Sequence, residues 1–270
     1  MTFPETPVAP VALDASTPTY DDSAMTATAI IQARMTSTRL PGKVLMPVLG
    51  FPLLTVLHQR LKQSRLIKRV VLAITTNATD DPLAQWAEAH QVTCVRGNEQ
   101  DVLSRYALAA QLCQTSAIVR ITSDCPLIDA TEVDRVIQAF FEQGADYASN
   151  TLLRSYPRGL DCEVFSLKAL QFAQAHATRP EQREHVTPYF YQNPEQFKLI
   201  NHLNPLGDQS HHRWTVDTPE DFELITRILT ALWPQDTAFT QADVLALLEK
   251  NPGWLNLNAH VEQKKLAANT

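Results

Sequence analysis

TAIIQARMTSTRLPGKV, residues 28–44, opens as a short apolar strand candidate over 28–32 and runs on into a loop with three cations and three hydroxyls. The same strand-then-helix grammar repeats down the chain. Residues 53–61 read as a helix with Leu54, Leu57 and Leu61 on one face, and 69–75 (RVVLAIT) as a buried, β-branched strand. A short helix over 82–90 and a brief strand over 92–95 follow, then a helix over 101–113 with Leu103, Tyr106, Ala107 and Ala110 on one stripe. Residues 117–122 form another buried strand candidate. Val133, Val136, Ile137, Phe140 and Phe141 keep the spacing of a core-facing helix, and Asp129 with Glu132 resembles a capping box at its start. Later strands are expected over 146–150, 160–165 and 213–216, and Ile225, Ile228, Leu229 and Leu232 mark a closing helix. This alternation predicts an α/β fold, a mostly parallel twisted sheet with helices on both faces. Ligands of such sheets sit beyond the carboxyl ends of the strands, so the loops after Gln32, Thr122 and Val216 carry the interest.

The 270 residues suffice for one large α/β domain, and 44% hydrophobic with 19% charged residues is the balance of a globular protein. A net charge of −6 works against a nucleic-acid partner, which would need a local basic patch larger than the single loop above. Four cysteines without C-x-x-C spacing fit neither a disulfide framework nor a zinc site and read as reduced thiols. No stretch approaches the ~18 consecutive apolar residues of a membrane span. Residues 1–24 hold four prolines, no Lys or Arg and no apolar core, and read as a disordered leader rather than a secretory signal. Met25 is a candidate start of the functional chain. Residues 25–250 then form a single domain, with a rhythm break over about 150–210 as a possible substrate or dimerisation subregion, and 251–270 a tail. A cytoplasmic protein without membrane contact is expected.

Arg34, Arg39 and Lys43, together with Thr36, Ser37 and Thr38 and the backbone freed by Gly42, are the chemistry a triphosphate needs; an ordinary basic surface loop has the same composition. G-x-x-x-x-G-K-[ST] and G-x-G-x-x-G are both absent, which removes the Walker and dinucleotide-binding readings. Asp124 follows the strand IVRIT and Asp217 follows RWTV. Two carboxylates at one sheet edge can share a hard cation such as Mg²⁺, with phosphate oxygens and water completing it, or each can cap the helix that follows. For Asp217 the cap is already supplied by Thr218, Pro219 and Asp221. Asp161 and Glu163 alternate in LDCEVF, so a strand would aim both at one face, a polar cavity or a solvated sheet surface. His211 and His212 are adjacent and make a poor chelating pair, and Cys125 has no base placed beside it by sequence.

IIQARMTSTRLPGKVL resembles the opening signature of the cytidylyltransferases that make CMP-activated sugar acids, and PRGLD (157–161) and REHVTPY (183–189) resemble the spore-coat polysaccharide type. The likeness runs from about 28 to about 232. It implies a Rossmann-like, nucleotide-diphospho-sugar-transferase fold, with Arg34, Ser37, Arg39 and Lys43 on the CTP phosphates and Asp124 and Asp217 on Mg²⁺. It also implies that the segment with Asp101 and Arg105 lies near the nucleotide. Arg158, Asp161, Glu163 and His185 become candidates for the acceptor, although His185 is as readily a structural histidine. The central element reads Ser-Asp-Cys-Pro where octulosonate enzymes show Gly-Asp-Glu-Pro, which leaves the acceptor open. The expected activity is transfer of CMP from CTP to a sugar acid with release of pyrophosphate, by a homodimer. The rival readings are a sugar-nucleotide-dependent glycosyltransferase and a non-catalytic nucleotide-binding relative.

Overall fold

The computed structural model describes residues 25–263; the leader expected over 1–24 and the end of the tail lie outside the described residues. The first half is a run of strand–helix units: β1 (Ala27–Gln32), a hairpin β2 (Pro47–Val48) and β3 (Phe51–Pro52), α1 (Leu53–Leu61), β4 (Ile67–Thr75), α2 (Asp81–Ala89), β5 (Thr93–Gly97), α3 (Val102–Cys113) and β6 (Ala117–Thr122). There follow α4 (Ala130–Glu142), β7 (Tyr147–Ser149), β8 (Glu163–Ser166), α5 (Leu167–His176), α6 (Pro180–His185), α7 (Pro188–Tyr191), β9 (Leu199–Asn201), α8 (Pro219–Leu232) and α9 (Gln241–Lys250). Seven strands make one sheet in the order β5-β4-β1-β6-β8-β7-β9. Only β8 runs against its neighbours β6 and β7. The chain winds outward from β1 to β5, then returns to start β6 on the other side of β1, so the carboxyl ends of β1 and β6 flank the crevice where such sheets bind ligands.

The central strands are apolar throughout because helices cover both faces. Along β1, Ala27, Ala29 and Ile31 enter one buried cluster with α1, α2 and α4, while Ile30 faces the other with α3, α5 and α7. A third cluster gathers Trp214, Leu224, Ile225, Ile228 and Leu229 with Phe239, Val244 and Leu248 around α8 and α9.

Several expectations change. Residues 213–216 are not a sheet strand; Arg213 makes one parallel bridge to Arg158 and the rest of the segment runs free of the ladder. The strand expected over 160–165 begins only at Glu163, because Asn150 takes over the backbone before it: its Oδ1 accepts from Cys162 N (2.9 Å) and its Nδ2 donates to Leu160 O (2.7 Å). Asp129 caps α4, but Glu132 does not close the box; its carboxylate accepts instead from Tyr156 Oη and Arg135 Nη1, each at 2.6 Å. The 150–210 stretch inserts β8 between β6 and β7 and so belongs to the sheet. Past α9, Asn258 is buried and its Nδ2 donates to Arg213 O at 2.9 Å and Asp221 Oδ1 at 2.8 Å, which ties the expected tail to the body.

Candidate active site

The loop after β1 folds back on itself: Gly42 N donates to Met35 O (3.0 Å), and Gly42 takes a φ of 72° that a side chain would strain. That turn delivers Lys43 into a short 3₁₀ segment with its side chain directed inward. Lys43 Nζ donates to Asp124 Oδ2 at 3.1 Å, Asp217 Oδ1 at 2.8 Å and Val216 O at 2.6 Å. The two acids come from segments 93 positions apart in sequence and are bound to each other by backbone, with Val216 N donating to Asp124 O at 2.8 Å. Thr215 Oγ1 adds a second bond to the same carbonyl at 3.2 Å. Burial alone would pull the Lys43 ammonium down, yet the charges of Asp124 and Asp217 outweigh it and hold it above its ordinary value. Burial pushes the Asp124 carboxyl up, and the Lys43 charge with hydrogen bonds from Thr122 and Lys43 brings it below the usual range.

Asp217 is shared further: its Oδ2 meets Arg39 Nη2 at 2.8 Å and Arg213 Nη2 at 2.9 Å. Thr218 and Asp221 form the capping box of α8, as the sequence predicts, so Asp217 is not spent on the helix. Arg213 in turn donates from Nε and Nη2 to the two oxygens of Asp221, each at 2.9 Å. Among the described residues no group of three or more His, Cys, Asp or Glu side chains gathers for a metal ion. Two carboxylates converging on one point still match Mg²⁺, which takes one or two carboxylates and completes its shell with phosphate and water. The donor set therefore fits.

Nearer the loop tip, Thr36 Oγ1 donates to Glu99 Oε1 at 2.7 Å and Arg34 Nη1 lies 3.4 Å from the same oxygen, while Asn77 Nδ2 donates to Oε2 at 2.7 Å. Glu99 thus joins the loops after β1, β4 and β5. Hydrogen bonds from Thr36 and Asn77, then the Arg34 and Arg105 charges, hold its carboxyl below its ordinary value against burial. In the sequence Glu99 stands only as an acid in a strand-end loop. Ser37 lies on the same loop, half-buried. Asp101 caps α3 through Ser104 N (3.0 Å) and pairs with Arg183. Arg105 is buried under Gly97, where an added Cβ would lie 2.5 Å from Arg105 Cγ. Neither joins the Lys43 cluster.

Asp161, Glu163 and His185 line one polar cavity of about 340 Å³ with Arg120, Arg154 and Tyr191. Arg154 makes a two-bond fork to Asp161 at 2.7 and 2.9 Å, and Arg120 pairs with Glu163, which also accepts from Tyr147 Oη at 2.6 Å. Arg120 Nε donates to Gln32 Oε1 at 3.1 Å, so this cavity abuts the end of β1. Arg120 was legible only as the lone charge in the apolar run AIVRIT. Arg158 is not among them; it lines a second cavity of about 360 Å³ with His211, His212 and Arg213. Burial pushes the Cys125 thiol well up, and the Asp124 charge adds to it, which disfavours the thiolate a nucleophile needs. No helix among the described residues is long and apolar enough to cross a membrane.

Likeness to known proteins runs the length of this arrangement. The spore coat polysaccharide biosynthesis protein SpsF of Bacillus subtilis is 33% identical over 229 residues, 83% of this chain and 94% of its own. A solved cytidylyltransferase of Leptospira borgpetersenii superposes with a TM-score of 0.81 at 33% identity, covering 90% of this chain and 100% of its own. A CMP:2-keto-3-deoxy-manno-octonic acid synthetase solved with CTP shares the fold at a TM-score of 0.57 and 17% identity, over 76% of this chain and 99% of its own. The family profile described as cytidylyltransferase matches residues 28–265, and the chain belongs to that family of nucleotidyltransferases.

Proposed function

We propose that the protein transfers CMP from CTP to a sugar acid of the octulosonate or nonulosonate kind, releasing pyrophosphate, in the synthesis of a surface polysaccharide or glycan. The observation that carries this reading is the convergence of Asp124 and Asp217 on Lys43 at the crevice between β1 and β6. Arg34, Ser37, Arg39 and Lys43 then bind phosphate oxygens around the turn set by Gly42, and Asp124 and Asp217 hold Mg²⁺. When bound there, Mg²⁺ neutralises triphosphate charge and stabilises charge developing on the leaving pyrophosphate. The cavity with Asp161, Glu163 and His185 orients the acceptor, its acids accepting from sugar hydroxyls. One acceptor hydroxyl oxygen bonds to the α-phosphorus as the bond to the β-phosphate oxygen breaks, and the hydroxyl proton passes to solvent. The chain's contribution is positioning and charge neutralisation.

The names of the relatives support the donor and the pathway class. A homodimer in the cytoplasm completes the proposal. Leu153 and Leu203 are exposed, and Leu153 N donates to Asn201 Oδ1 at 2.9 Å, which ties the Leu153 loop to the end of β9 just before Leu203 and is consistent with a partner on this side. Incubation with CTP, Mg²⁺ and a panel of octulosonates and nonulosonates, followed by mass spectrometry, should give a CMP adduct and equimolar pyrophosphate. Cleavage of a sugar nucleotide with no pyrophosphate would instead support a glycosyltransferase.

A further inference from the structure

An ammonium has three donors, and Lys43 spends all of them: on Asp124, on Asp217 and on the Val216 carbonyl. None is left for a phosphate oxygen while these bonds stand. A divalent cation held by Asp124 and Asp217 would compete with this ammonium for the same two carboxylates. The surrounding charges differ in how firmly they are fixed. Arg213 is locked, because two of its bonds go to Asp221, which is itself anchored by Asn258 Nδ2 (2.8 Å), Asp217 N (3.0 Å) and Thr218 N (3.2 Å). Among the described residues Arg39 is held only by Asp217, with its side chain 37% exposed. Lys43 reaches the acids on a flexible four-carbon stem from the turn at Gly42. Lys43, Arg39 and Arg213 face Asp124, Asp217 and Asp221, so the cluster is already neutral.

We propose that Lys43 is an exchangeable counter-ion: it holds the Asp124–Asp217 pair until a divalent cation arrives with a triphosphate, and then turns to the phosphate oxygens. The site therefore takes metal as its nucleotide complex and resists metal alone. This rests on the nucleotidyltransferase reading above and adds the order of assembly. A free divalent cation would have to share two carboxylates with an ammonium, or eject that ammonium with no anion to receive it. A like charge at such distance in a half-buried site is costly. A triphosphate brings more negative charge than the divalent cation cancels, and so supplies Lys43 and Arg39 with new acceptors as they leave the acids. Metal and nucleotide then bind with positive, reciprocal coupling.

The test is Mn²⁺ binding to the full chain, followed by electron paramagnetic resonance and water proton relaxation, for the unmodified protein and for Lys43→Met, Lys43→Gln and Lys43→Arg. Without nucleotide, the unmodified protein and Lys43→Arg should bind Mn²⁺ weakly, and Lys43→Met and Lys43→Gln should bind it on the order of 10- to 100-fold more tightly. Circular dichroism checks that each variant is folded, and two uncharged variants guard against one that is not. Tight Mn²⁺ binding by the unmodified protein alone, unchanged in Lys43→Met and Lys43→Gln, would overturn the exchange. If Mn²⁺–CTP raised no relaxation enhancement with the unmodified protein, the nucleotidyltransferase reading itself would fall, a separate outcome from the first.

Discussion

Gly159→Ala should be among the most damaging single-methyl changes in this chain. Gly159 sits at a φ of +107°, and a Cβ there would lie 2.5 Å from Trp214 C, 2.6 Å from Trp214 O and 2.8 Å from Thr215 N. These are backbone atoms, so no side chain can swing aside. The contact belongs to the bridge in which Trp214 N donates to Arg158 O (2.6 Å) and Arg158 N donates to His212 O (3.1 Å). Relief means parting these two segments beneath Trp214, which is fully buried, and dragging the stretch that ends at Asp217. Positive φ in a non-glycine residue costs of order 1–3 kcal/mol and overpacking about 1–3 kcal/mol more, so roughly 4 kcal/mol is expected. For a chain of this size that is a fall of roughly 10 °C in the thermal midpoint. Gly207→Ala is the control, because Gly207 has a φ of +81° but nothing within 4 Å of its Cβ, so only the backbone term applies. Thermal unfolding of both variants, followed by circular dichroism, makes the comparison. Equal midpoints would refute the claim that the 158–159 and 213–215 segments are in tight backbone contact.

Asp124→Asn should keep the fold and cut turnover by at least about 100-fold, because the neutral amide lacks the charge that pairs with Lys43 and would hold a cation. A fully active variant would remove Asp124 from the chemistry. Arg39→Ala should raise the KM for CTP by roughly 10-fold with little loss of stability, since its side chain is 37% exposed; unchanged kinetics would take Arg39 off the phosphates. Burial lowers His58 and His212 from 6.5 to about 4, aided by Lys62 in the first case and His211 in the second. The unfolded chain therefore binds protons that the folded one refuses, so these two groups should leave stability unchanged above pH 6.5 and lower it between pH 6.5 and about 4, and the depressed Asp124 and Glu99 carboxyls continue the fall at lower pH. Urea denaturation across that range checks it, and His58→Leu should flatten part of the slope.

The sheet was legible where burial is two-sided and local. TAIIQ and RVVLAIT are apolar because both faces are covered, and Thr218-Pro219-Glu220-Asp221 announces its helix through contacts within four residues. The expected strand over 213–216 failed for the opposite reason: RWTV has strand composition, but its backbone is committed to Arg158 and Asp124 rather than to a ladder. The basic loop after β1 and the acids Asp124 and Asp217 stood out because clustered cations and strand-end carboxylates are rare in an apolar sheet. Glu99 did not, since its partner Thr36 lies 63 residues away. Arg120 was hidden by its apolar neighbours, and Asn258 by a polar stretch that reads as a loose end. Such pairings depend on topology, which no local pattern records.

The claim at the centre is a magnesium-dependent CTP site between β1 and β6, and isothermal titration calorimetry with CTP, UTP, ATP, GTP and dTTP, each with and without Mg²⁺, tests it most directly. CTP with Mg²⁺ should bind at least about 10-fold more tightly than any other triphosphate, a preference of about 1.4 kcal/mol. Equal binding of all five, or heat from a sugar nucleotide but from no triphosphate, would contradict it.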